Sequence, residues 1–163
     1  MVRAIMSLMG DARPPYRWWA LGAAGSGVDV HRDPVNTHAW NLLAAGCKRW
    51  ALLHPSLSEE ETGEDSVHDG EATVSWFINV LPGIAARHPG KVLVVDAPAD
   101  SLLYLPSGWW HATWNLEAVN VAVTHNFVTW EGFCSCWARI CAPDARAAVD
   151  DVHEVCEASH VLE

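Results

Sequence analysis

Two residues in the first quarter of the chain and one about two-thirds of the way along restrict how it can fold. His31 and Asp33 flank Arg32 in a His-x-Asp triplet, which closes an apolar run (Val28, Val30) and precedes Pro34. His111 lies eighty residues on, in Leu105-Pro-Ser-Gly-Trp-Trp-His111. Two imidazoles and one carboxylate in this order are the ligand set of a facial-triad iron site, which leaves positions open on a non-haem Fe(II). Side chains alternate along a strand with period two, so His31 and Asp33 share a face. His111 follows a Pro-Ser-Gly turn and opens a new aromatic run. A fold that uses all three must bring two distant strands side by side.

Lys48 adds a second constraint. It follows the Gly46 turn and starts the run Lys48-Arg-Trp-Ala-Leu-Leu53. A lysine there points from a sheet, and buried lysines are rare unless paired. A dicarboxylate co-substrate would supply the partner. The plain alternative is a lysine snorkelling from a strand end.

The sequence from Arg17 to Val128 resembles the JmjC-domain oxygenases, in particular the branch of lysyl hydroxylases and arginine demethylases. The matching segments are Pro14-Pro-Tyr-Arg-Trp-Trp19, His31-Arg-Asp-Pro34, Ala39-Trp-Asn41, Gly46-Cys-Lys-Arg-Trp50, Leu105 to His111, Asn115-Leu116 and Thr124-His-Asn-Phe127. The resemblance implies Fe(II) held by His31, Asp33 and His111. It implies 2-oxoglutarate with its far carboxylate on Lys48, helped by Asn41 and Thr124, and dioxygen as second co-substrate. Asn126 falls in the matching motif with a less defined role near that co-substrate. Two positions depart from the branch. Val28 stands where a small hydroxylated residue is frequent, and His125 where Gln is frequent; both bear on substrate choice.

The implied activity is hydroxylation of a protein side chain, lysyl first, or of an N-methyl group on arginine or lysine with loss of formaldehyde. Two other classes stay open: a metal-dependent cupin acting on a small molecule, and a degenerate JmjC-like binding module without turnover. The family carries a longer segment ahead of this stretch, so the sequence reads as a catalytic domain lacking that portion.

Many short strands separated by Gly and Pro turns indicate a sandwich or barrel. The expectation is an all-β core, a cupin-like double-stranded β-helix, over residues 1–130, with a C-terminal helical segment over 131–163. Strands are expected at Arg17–Leu21, Val28–Asp33, His38–Ala44, Lys48–Leu53, Lys91–Asp96, Leu102–Leu105, His111–Asn115 and Val119–Phe127. The His38 and Lys48 strands read as a hairpin across Gly46. Residues 55–72 read as an acidic loop, and Ser75–Val80 is ambiguous between strand and helix. Trp130–Cys141 and Ala145–Ser159 have helical spacing; these helices would cap the barrel or pair two copies of the chain.

Ten tryptophans among 163 residues are expected mainly to fill the barrel interior, with Trp109 or Trp110 walling the iron pocket. The formal charge of −10 argues against binding nucleic acid phosphate and favours a Lys/Arg-rich peptide partner. Glu59, Glu60, Glu61, Glu64, Asp65, Asp69 and Glu71 concentrate much of that charge, as a solvated loop or a recruiting surface. No apolar run is long enough to span a membrane. Met1–Met9 is short and broken for a signal peptide. Five cysteines and no evident secretory signal point to reduced thiols in the nucleus or cytoplasm. Cys134, Cys136 and Cys141 have no standard zinc spacing and read as small apolar side chains on a helix.

Overall fold

In the computed structural model, residues 17–63 and 73–140 are described. Among the described residues, eight antiparallel strands form two four-stranded sheets. They are β1 (Arg17–Gly22), β2 (Gly27–Arg32), β3 (His38–Ala45), β4 (Cys47–Leu53), β5 (Val92–Pro98), β6 (Ser101–Leu105), β7 (Trp110–Asn115) and β8 (Asn120–Phe127). One sheet has the order β1-β8-β3-β6, the other β2-β7-β4-β5. Most successive strands cross from one sheet to the other, which winds the chain into the expected double-stranded β-helix.

That winding corrects the reading at Gly46. β3 pairs with β6 and β8, and β4 pairs with β5 and β7, so the two strands form no hairpin. One residue is too short for a hairpin loop, which needs at least two. The chain instead turns a corner between sheets at Gly46, with φ +90°. A Cβ there would run into the Asn120 side chain and the Val119 carbonyl, so only glycine suits this corner.

The β2-β7-β4-β5 sheet has two apolar faces. Its outer face carries Val30, Ala51, Leu53, Trp110 and Ala112. They pack on a helical layer of α1 (Glu59–Thr62), α2 (Thr73–Ser75), a π-helical turn (Trp76–Val80) and α3 (Leu81–Arg87). Leu53, Leu57 and Ile84 are fully buried there, each contributing about 1.5–3 kcal/mol. Its inner face carries Trp50, Leu52 and Ala97, which meet Ala39 and Leu105 of the opposing sheet. β4 therefore reads as a nearly continuous apolar run, because both its faces are covered.

Two further expectations change. Ser58 and Glu61 form a reciprocal capping box, so part of the supposed acidic loop is α1. Residues 75–80 are helical, which places Trp76 and Phe77 in the outer core. The tryptophans divide between layers instead of filling the interior. Trp76 and Trp110 are buried in the outer core and Trp50 in the inner one, while Trp19, Trp130 and Trp137 are exposed. Burying large aromatics against helices stabilises as much as burying them inside the barrel.

α4 (Phe133–Ile140) follows the last strand and lies against the turn after β2, where the Asn36 amide donates to the Ser135 hydroxyl at 2.8 Å. Cys134 is exposed and Cys136 buried, and both are free. The expected second helix at 145–159, Cys141, and Glu64, Asp65, Asp69 and Glu71 lie outside the described residues, as does most of the C-terminal segment expected to pair two copies of the chain. Among the described residues no helix is long and apolar enough to cross a membrane.

Candidate metal centre

β2 and β7 are neighbours, and their register places His31 directly opposite His111. The imidazole centroids are 4.1 Å apart and tilted by 54°. Asp33 stands one residue past the end of β2 in extended backbone, with φ −59° and ψ 138°. The alternation therefore continues and its carboxylate joins the histidines. The three candidate ligand atoms lie within 4.8 Å of one another. No other group of His, Cys, Asp or Glu among the described residues gathers in this way.

Local structure sets the histidines. The β2–β7 register shifts between Val28 and His31. A bulge of this kind re-aims a side chain, and it is common beside active sites. Here it turns His31 onto the inner face. His31 Nδ1 lies 2.7 Å from the Asp29 carbonyl, and His111 Nδ1 3.2 Å from the Trp109 carbonyl. In each pair the carbonyl lies two residues before the histidine. A carbonyl only accepts, so both Nδ1 atoms carry the proton and both Nε2 lone pairs stay free for a metal.

Electrostatics favours the same species. Burial holds the His111 pKa well below the usual imidazole value, and the neighbouring His31 lowers it further. His111 is thus a neutral ligand at neutral pH. Burial raises the Asp33 carboxyl, while a hydrogen bond from Asn126 and the charge of His31 work against that rise. Asp33 Oδ2 is buried with no hydrogen-bond partner. An orphaned buried carboxylate oxygen is costly unless something cationic meets it. Two imidazoles and a carboxylate suit Fe(II), so the residues present fit the implied ion.

Lys48 is 6 % exposed. Its pKa is lowered by burial alone, and no carboxylate among the described residues pairs with it. It faces the barrel interior beside Trp50, with Nζ 6.0 Å from that ring; the Trp50 ring lies 6.2 Å from that of His111. Asn41 and Thr124 are cross-strand partners on the opposing sheet and share the inner face with Ala39. Asn41 is buried, and the Thr124 hydroxyl donates to the Trp40 carbonyl at 3.2 Å. An unpaired buried cation opposite two polar side chains is a setting for a carboxylate.

Asn126 is placed differently from its neighbours in the motif. It sits against Asp33 and donates to the Thr37 hydroxyl at 2.9 Å, which aligns it with the metal ligand. Trp110 faces the outer core, its indole donating to the Leu57 carbonyl at 2.9 Å, while Trp109 borders the inner core. Val28 is on the inner face, with its N–H donating to Thr113 Oγ1 at 3.2 Å. His125 points to the outside of its sheet, stacked on Trp40.

Sequence reasoning passed over Thr37, Thr113 and Asn115, all buried and polar. Asn115 Oδ1 has no partner, and its strand position is opposite Lys48. The signal was present in Trp110-His-Ala-Thr-Trp-Asn115: every second residue is polar on a strand, with apolar residues between them.

Comparison with known proteins agrees with this geometry. Residues 18–127 match the family model described as JmjC domain, hydroxylase. The chain is 39% identical over 131 residues to lysine-specific demethylase JMJ21 of Arabidopsis thaliana, covering 76% of this chain and 14% of that protein. It is 34% identical over 135 residues to bifunctional arginine demethylase and lysyl-hydroxylase psr-1 of Caenorhabditis elegans, covering 78% and 33%. It is 24% identical over 147 residues to arginine-specific demethylase JMJ20 of Arabidopsis thaliana, covering 87% of this chain and 30% of that protein. The chain thus spans a third or less of each of these proteins. With a family model matching most of its length and a candidate metal-ligand set assembled on its double-stranded β-helix, the chain belongs to the JmjC-domain family.

Proposed function

We propose that this domain is an Fe(II)- and 2-oxoglutarate-dependent dioxygenase that hydroxylates a protein side chain, most plainly a lysyl side chain. One observation carries the reading: two proton-oriented imidazoles and an orphaned carboxylate converge on the inner face that also buries an unpaired lysine. Lys48 stands opposite Asn115, four residues beyond His111 on β7, about 13 Å along the strand. That separation suits a five-carbon diacid held at both ends, with the lysine side chain closing the remainder.

His31, Asp33 and His111 would hold the iron, and Lys48 with Asn41 and Thr124 the far carboxylate. Bound together, iron and 2-oxoglutarate supply the oxidising power: dioxygen is consumed, the diacid becomes succinate and carbon dioxide, and one oxygen reaches a C–H bond. The chain's own residues do the rest. The Asp29 and Trp109 carbonyls fix the two imidazoles, and Asn126 orients the Asp33 carboxyl. Trp50 and Leu52 keep the floor of the site dry, which strengthens each charge contact.

Names of relatives support both chemistries, since psr-1 is named for arginine demethylation and lysyl hydroxylation together. Hydroxylation at an N-methyl carbon would release formaldehyde from the same site. The charge of −10 and the acidic first turn of α1 favour a Lys/Arg-rich substrate segment. A reducing, nuclear or cytoplasmic setting agrees with free Cys47, Cys134 and Cys136. The test is succinate release from 2-oxoglutarate with Fe(II) and basic peptides, with mass spectrometry of the peptide. One added oxygen on lysine is expected. A His31→Ala, Asp33→Ala double variant that kept full turnover would refute the site.

A further inference from the structure

We propose that the cavity beside the metal-ligand turn is a subsite for an anionic side chain of the substrate polypeptide, with Arg139 as the residue that selects it. This rests on the oxygenase reading only in taking the occupant to be substrate. The cavity has a volume of about 470 Å³ and is lined by Arg32, Asp33, Pro34, Val35, Asn36 and Arg139. It therefore shares Asp33 with the metal centre.

Two arginines line this space in a protein of strongly negative charge. Two other cations are differently placed: Arg49 is in a bidentate pair with Asp96 at 2.7 and 2.8 Å, and Lys48 is buried in the barrel. Arg32 is held in place, its guanidinium 3.9 Å over the Trp110 ring and Nη2 donating to the Leu57 carbonyl at 3.3 Å. A guanidinium stacked on one face keeps other N–H donors for a second acceptor, and its ordering has already been met by folding. Arg139 pairs with no carboxylate among the described residues. Asp33 does not neutralise the pair once its charge is engaged by a cation.

The wall of the cavity is a backbone held out of its preferred conformation. Val35 has φ 48° and ψ 30°, and Asn36 has φ 56°. A β-branched residue in the left-handed region is strained and persists only where its surroundings impose it. The Asn36–Ser135 hydrogen bond ties that turn to α4, which also carries Arg139. One contact thus sets both the turn that follows Asp33 and the position of the second cation. The group recognised is an anion, carboxylate or phosphoryl, on a residue close in sequence to the oxidised one. The acidic turn of α1 and this cavity would read different groups on one mixed-charge segment.

The experiment uses fluorescein-labelled Lys-centred peptides that differ at single flanking positions, carrying Glu, phosphoserine, Gln or Lys. Affinity is measured by anisotropy with Mn(II) and 2-oxoglutarate present, for the wild-type chain, Arg139→Gln and Arg139→Glu. At one flanking position, the wild type is expected to bind the Glu or phosphoserine peptide about tenfold more tightly than the Gln peptide. Whichever of the two binds more tightly identifies the anion. Arg139→Gln should erase the preference, and Arg139→Glu should transfer it to the Lys peptide. A wild type that shows no preference for either anionic peptide, including no binding at all, overturns the proposal. So does a preference that survives in Arg139→Glu. Peptide-independent succinate formation is followed in parallel and should be equal in all three proteins. Its absence from the wild type would count against the oxygenase reading, and the binding comparison would still decide the cavity.

Discussion

Replacing Lys48 with methionine should make the ligand-free protein more stable and deaf to 2-oxoglutarate. The side chain is 6 % exposed, and no carboxylate among the described residues meets its charge. Burial therefore depresses its pKa below the ordinary lysine value. The sign follows from linkage: at neutral pH the charged amine is less favourable folded than unfolded, and this penalty fades only as pH rises through the folded-state pKa. Methionine keeps most of the length and removes the charge. Replacing a buried charged group by an apolar one of similar volume is stabilising by about 1–4 kcal/mol, and the Trp50 ring 6.0 Å away gives little back. Taking about 1–2 kcal/mol, the melting temperature should rise by about 3–6 °C for a chain of this size. The ligand effect runs the other way. At a hundredfold excess over Kd, 2-oxoglutarate should stabilise the wild type by about 2.7 kcal/mol and leave Lys48→Met unmoved. Thermal melts with and without 2-oxoglutarate, with Mn(II) in both, report the two effects together. A variant that melts below the wild type without ligand, or keeps the ligand-induced rise, would refute this account of Lys48.

Three other outcomes follow from the geometry. Asn126→Ala should weaken metal binding by about 10–100-fold while changing the 2-oxoglutarate Kd far less, measured by titration of Mn(II) and of the diacid separately; a selective loss of diacid affinity would return Asn126 to the co-substrate. Gly46→Ala should cost about 2 kcal/mol or more, because the added Cβ meets Asn120 and Val119 as well as a φ of +90°. Gly25→Ala, with φ +82° and nothing near its Cβ, should cost only about 1 kcal/mol, and equal midpoints in urea would contradict the packing argument. The metal-free protein should lose stability as pH falls below the ordinary histidine pKa, since burial lowers His38, His111 and His125 and the unfolded chain takes up protons that these imidazoles refuse; a melting temperature that rises between about pH 7 and pH 5.5 would oppose this.

The pairing of His31 with Asp33 in the candidate metal centre was legible because period-two alternation is local: the two had to share a face, and the structure keeps that face through Asp33 despite ending the strand before it. The strand positions were legible from the Gly and Pro turns that separate them, down to shifts of one or two residues at their ends. The Gly46 corner was not, since an apolar run after a glycine looks the same whether the chain folds back or crosses to another sheet. Nor was the division of the tryptophans, because a strand covered on both faces shows no alternation to say which ring lies inside.

The chain by itself determined that two imidazoles and a lysine stand on strands with a carboxylate next to one of them, and that His31 and Asp33 share a face. Tertiary structure decided that His31 meets His111 across β2 and β7, that Lys48 is buried without a counter-charge among the described residues, and that Asn126 lies against Asp33. The physical reason is range. Alternation and turn chemistry act over a few bonds, whereas strand pairing joins residues eighty positions apart, and only the packed sheets fix which carbonyl, ring or empty space each side chain finds.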